Sequence, residues 1–154
     1  MSDIGLFEFG EPPLLVVDAN AGLRLVSALP PAGSIAVVRL DGAKMLEVHD
    51  VFEQFSGALR FPAYFGWNWD ALSDCLRDLS WWPADCYLII VDRAEEMLKG
   101  SPEERAVLFA VLSRAVRDWA NPLGKTGGKG ILFRVLLLAT EDAMERIRAE
   151  IVRR

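Results

Sequence analysis

Asp70, Asp74 and Asp78 stand four residues apart in a stretch that ends a loop and opens a helix, and no other residues of this chain are so well spaced to do chemistry. At that interval, carboxylates on a continuous helix share one stripe. Such a stripe has three chemical uses. Two carboxylates can work as general acid and base, but that requires surroundings that push their pKa values apart, and the sequence supplies no second polar cluster nearby. They can hold magnesium, but magnesium sites usually borrow substrate phosphates, which an acidic chain does not attract unaided. They can also meet a cationic partner. Like charges at this spacing weaken an isolated helix by a few tenths of a kcal/mol per pair, so a stripe that costs stability points outward, to a basic protein. The plainer reading is a solvated acidic face, with the helix macrodipole favouring Asp70 and reaching Asp74 but not Asp78.

The elements that position the stripe are legible. Pro62 and Gly66 close a loop, and Asn68 is the expected N-cap of the helix that follows. Trp69, Leu72, Cys75, Leu76 and Leu79 recur at helical spacing and should face a core. Four aromatic residues crowd the loop. Phe65 and Trp69 are expected to pack inward, whereas Tyr64 and Trp67, at alternating loop positions, are candidates for exposure beside the carboxylates. Aromatic residues next to charge are common at interface hot spots.

Other suggestive residues lead nowhere. Gly124-Lys125-Thr126 has Trp119 where a phosphate loop needs its first glycine, and the expected elements run helix-loop-strand rather than strand-loop-helix. His49 is the sole histidine and has no partner for a histidine–cysteine metal site. Cys75 sits on the core face without a histidine beside it, a poor setting for a nucleophile. No catalytic set, metal site or cofactor is expected.

Composition sets the outer bounds. The 154 residues suit one domain with a real core, and 52% hydrophobic with 25% charged residues is ordinary for a globular chain. A net charge of −5 argues against direct nucleic-acid binding and suits a cationic protein partner. Met1-Ser-Asp-Ile-Gly-Leu-Phe-Glu8 carries acid where a signal peptide carries base, and no window has the length of a membrane span. Cys75 and Cys86 are too few for a disulfide framework. A cytoplasmic protein with reduced, buried thiols is expected, monomeric when free.

Along the chain, Leu14–Asp18 and Arg24–Ser27 read as two small strands within an N-terminal extension, 1–33, packed on the main domain, 34–154. Ser34–Leu40, Cys86–Val91 and Ile131–Leu138 read as strands, the second a continuous apolar run and so covered on both faces, the third also buried. Leu46–Leu59 carries an amphipathic helical period. A short helical turn spans Ala94–Leu98. Ser101-Pro-Glu-Glu104 predicts a capping box that opens a helix running to Asn121-Pro122, and Glu141–Arg154 a terminal helix. The fold class is therefore α/β, a small parallel sheet of about three strands flanked by helices.

Pro62, Tyr64, Phe65, Gly66, Asn68, Asp70, Ala71, Leu72, Asp74, Cys75 and Leu76 together resemble, without a gap, the signature of the barstar family, intracellular protein inhibitors of barnase-type ribonucleases. Leu40 to Phe61 also resembles that family's first strand–turn–helix, and the resemblance extends less tightly to Leu138. It implies a non-catalytic, immunity-type inhibitor whose acidic loop and helix plug the ribonuclease's cationic site. Tyr64, Trp67, Asn68, Asp70, Ser73, Asp74 and Asp78 are the implied contact residues. Ser73 stands where inhibitors of this type carry a tryptophan, Asp78-Leu79 replaces a Gly-Trp pair, and Arg114 matches an interface glutamate. These departures imply a cognate ribonuclease other than barnase. The alternative is a scaffold or regulatory module that keeps the fold and binds an unrelated protein.

Overall fold

The computed structural model describes residues 12–27, 33–121 and 131–152. Met1–Glu8, Pro30-Pro31, Pro122 and Gly124-Lys125-Thr126 lie outside them. The elements run β1 (Leu14–Val17), α1 (Ala19–Ser27), β2 (Ile35–Asp41), α2 (Val48–Leu59), α3 (Trp69–Leu76), β3 (Cys86–Asp92), α4 (Pro102–Ala120), β4 (Leu132–Leu138) and α5 (Glu141–Val152), with single 3₁₀ turns at Gly42–Lys44 and Ala94–Glu96.

The sheet has four parallel strands in the order β1-β4-β3-β2, one more than the sequence predicts. The extra strand is β1, which pairs in register from Leu14 with Val135 to Val17 with Leu138. The second expected strand, Arg24–Ser27, is instead the end of α1. Gly22 and Leu25 form the buried side of that helix. A Cβ on Gly22 would meet Leu138 Cδ2 at 2.4 Å, so the bare glycine leaves room for that leucine side chain where α1 lies on β4.

The two faces of the sheet are covered unequally. Leu88, Ile90, Leu136 and Leu138 meet Leu25 of α1 on one side. Tyr87, Ile89, Val91, Phe133, Val135 and Leu137 face the main core on the other, with residues of α2, α3, α4 and α5. Side chains alternate across a strand, so β3 and β4 carry apolar residues on both faces, apart from the buried Arg134 in β4 and Asp92 at the end of β3. At the edge, β2 alternates instead: Ala36, Val38 and Leu40 are buried while Val37 and Arg39 are exposed. Arg39 forks onto Asp92 of the adjacent strand end at 2.6 and 2.9 Å.

Helix α4 begins where predicted but is not capped as predicted. Neither Ser101 nor Glu104 supplies a side-chain cap; Glu104 accepts from the Trp69 indole at 3.0 Å and so ties α4 to α3. The thiols are free, Cys75 buried and Cys86 only half-buried. Burial pushes both pKa values up, with the carboxylates of Asp78 and Asp74 adding to the shift at Cys75.

Candidate functional site

A ladder of rings anchors the loop before α3. Phe61 packs edge-on against Phe65 at 4.9 Å and Trp81 at 5.9 Å, and Phe52 of α2 receives Phe65 at 6.2 Å and Trp69 at 5.1 Å. The Trp81 indole donates to the Leu59 carbonyl at 3.0 Å, and Phe65 N–H to the Pro62 carbonyl at 3.0 Å. Edge-to-face pairs add stability beyond their buried area, so the loop is held from below by its apolar residues. Phe65 is buried and Trp69 partly so.

With these rings inside, the intervening ones are pushed out. Tyr64 is 71% exposed and Trp67 45%. Partial desolvation, then the charge of Asp78 and of Cys75, pushes the Tyr64 phenol above its ordinary value. Trp67 has φ 55°, a left-handed conformation that a bulky side chain rarely adopts. It is held there by contacts on two sides, stacked on His49 of α2 at 5.3 Å and 17° and tilted against Phe65 at 5.3 Å.

Asn68 then caps α3 as its residue type predicts, accepting from Ala71 N–H at 2.7 Å. Asp70 and Asp74 stand exposed on the outer face of the helix. Asp78 lies just past the C-cap of that helix. The helix ends at Leu76, Arg77 is its C-cap, and Leu79 turns the chain at φ 52°. Asp78 is exposed, but in the turn beyond. Ser73 departs from the predicted contact set: it is 8% exposed, with its hydroxyl and carbonyl each 3.3 Å from Arg77 Nε. Spacing places Ser73 on the side of α3 that turns toward the core.

Asp74 is not the unpaired charge that the sequence suggests. Arg77 Nη2 donates to Asp74 Oδ1 at 2.9 Å, and Nη1 donates to Asp118 of α4 at 3.0 Å. The first pair is readable as an i,i+3 contact, but the second spans 41 residues and no local signal announces it. His49 was likewise invisible as a neighbour of Trp67. Arg114 is exposed on α4, one turn before Asp118.

The arrangement presents carboxylates and aromatic rings to solvent on a rigid support, which suits recognition of a cationic surface. Among the described residues, no group of three His, Cys, Asp or Glu is placed to hold a metal ion, and no helix is long and apolar enough to cross a membrane. A cleft of about 590 Å³ lies elsewhere, between the start of α4 and α5, lined by Lys99, Arg105, Arg146 and Glu150 among others.

The loop and α3 fall within a span that matches a known family. The family model described as Barstar (barnase inhibitor) matches residues 35–138, about two-thirds of the chain, and that span contains the loop and α3. No curated protein matches the sequence. Among solved structures, the ORC2 protein of Aeropyrum pernix, determined as ADPNP-ADP complexes, is similar at a TM-score of 0.60 with 13% identity. The likeness covers 94% of this chain but 40% of that one, and at such identity it is a likeness of fold alone.

Proposed function

This chain belongs to the Barstar family of barnase inhibitors, and from that premise we propose that it is a non-catalytic, stoichiometric inhibitor of a barnase-type ribonuclease. Asp70 and Asp74 enter the enzyme's basic active site in place of substrate phosphates. Tyr64 and Trp67 pack at their flank, and Asn68 fixes the start of the helix that carries them. The inhibitor acts in the cytoplasm as an immunity protein, protecting the cell that makes the toxin. One observation carries the reading: within the family-matched span, two exposed carboxylates stand beside exposed aromatic rings on a loop whose other rings are buried.

Charge supports it as well. A chain of net charge −5 is drawn toward a cationic enzyme, and opposite charges speed encounter at low ionic strength. The proposal is tested by titrating the chain into a panel of small basic ribonucleases of barnase type, barnase included, while following RNA cleavage. Complete suppression of one enzyme at one equivalent is expected. Full cleavage by every member at a large excess of the chain would overturn the proposal.

A second reading has its own support. Ser73, Asp78-Leu79 and Arg114 depart from the inhibitor pattern, Ser73 and Leu79 are buried, and Asp74 already has a cation beside it. A barstar-like scaffold that binds an unrelated protein would leave ribonucleases untouched and would be captured with a different partner.

A further inference from the structure

Arg77 has no part in the family signature, yet its guanidinium makes more polar contacts than any other residue at the end of α3. Nη2 lies 2.9 Å from Asp74 Oδ1, Nη1 lies 3.0 Å from Asp118 Oδ2, and Nε lies 3.3 Å from both the carbonyl and the hydroxyl of Ser73. Its side chain is 22% exposed, against 75% for Asp74. The cation is thus sunk between α3 and α4, and the carboxylate stands over it. Most surface ion pairs contribute little because both side chains remain mobile. Here Asp118 and Ser73 also hold the arginine, so Asp74 is oriented by a partner with contacts of its own.

We propose that Arg77 is a positioning residue for partner binding, an inference that rests on the ribonuclease-inhibitor reading. It presets the Asp74 carboxylate and so the direction from which a partner cation meets it. Oδ1 already accepts from Arg77, so Oδ2 is the oxygen left open to an incoming group, which can share Oδ1 with Arg77.

Arg77 has two opposed effects, and they fall on different rate constants. Its charge offsets part of the long-range attraction for a basic enzyme, which slows association. Its hold on Asp74 spares the complex the ordering of one side chain, which slows dissociation. The test is stopped-flow mixing with the ribonuclease most tightly inhibited in the panel, at low salt, comparing wild type with Arg77→Met, Arg77→Lys and Asp74→Ala. Arg77→Met should associate about twofold faster and dissociate about fivefold faster. Arg77→Lys keeps the charge and loses the fork, so it should associate at the wild-type rate and still dissociate faster. A merely structural role would lower the amplitude of binding and leave both rate constants of the folded fraction unchanged. If Asp74→Ala weakens binding while both Arg77 variants keep wild-type rates, this inference fails and the inhibitor reading stands. If wild type binds no ribonuclease of the panel, both fail.

Discussion

Arg77 and Arg105 each tie α4 to a neighbouring helix through a carboxylate, but only one of them sits where a partner can reach. Arg105 is 6% exposed; its Nη1 donates to the Met97 carbonyl at 2.5 Å, and its Nε lies 3.1 Å from Glu150 of α5, off hydrogen-bond geometry. Burial lowers its pKa, with the charge of Glu150 opposing the shift. Its guanidinium also lies over the Phe109 ring at 5.4 Å. Arg77, by contrast, holds two carboxylates that face outward. The same chemistry gives a joint in one place and a poised surface in the other. What separates them is the burial of the arginine and the exposure of the outermost carboxylate: Arg105 is 6% exposed beneath a Glu150 that is 31% exposed, whereas Arg77 is 22% exposed beneath an Asp74 that is 75% exposed. The more enclosed pair is committed to its partner, while Asp74 still has an oxygen to offer.

That contrast can be broken by exchanging the predicted consequences. The largest effect should come from Arg105→Met, which leaves the Met97 carbonyl without its donor and Glu150 without its cation. Because Glu150 is partly exposed and can rehydrate, the loss of stability should be about 2–3 kcal/mol rather than more. Urea denaturation measures it, and inhibition by the folded variant should equal wild type. Asp74→Ala should do the reverse. Binding to the inhibited ribonuclease should weaken by about 2 kcal/mol, because the enzyme's cations stay buried without a partner, while stability falls by less than about 1 kcal/mol. Calorimetric titration and thermal melts separate the two quantities. Equal loss in both assays for either variant would dissolve the distinction between joint and surface.

Asn68→Ala removes the cap that starts the acidic helix and should cost about 1 kcal/mol of stability, read as a lower urea midpoint at unchanged slope. The smallest effect is expected from Asp78→Ala. That residue lies past the end of α3, so its loss should change binding by under about 0.5 kcal/mol. A larger effect than that of Asp74→Ala would mean that the contact surface continues into the turn rather than along the helix.

Most of the scaffold can be read from periodicity. The apolar runs of β3 and β4 and the helical spacing of α2 and α4 are strong because each element must satisfy a core on its own face. Asn68 as a cap and the outward Tyr64 and Trp67 were legible for similarly local reasons. What escaped is long-range. β1 has four residues, and only pairing with β4, some 120 positions later, makes it a strand of the sheet. The 24–27 segment looks like a strand by composition, yet Gly22 and Leu25 place it in a helix whose close approach to β4 has no local signature. Glu104 looks like a capping residue until Trp69 claims it. No glycine or proline marks the end of α3; the chain turns on Leu79 in a left-handed conformation instead. Asp118 could enter the site only once α3 and α4 were packed.

The central claim is that the outer face of α3 meets a cationic active site, and the salt dependence of association tests it most directly. Attraction between exposed charges is screened over about 10 Å at ~0.1 M salt and over about 3 Å at ~1 M. The association rate constant of the wild-type chain with the ribonuclease it inhibits should fall steeply between low salt and roughly 1 M, and less steeply for Asp74→Ala. A wild-type rate unchanged across that range would contradict the account and show that the partner is recognised through an apolar surface.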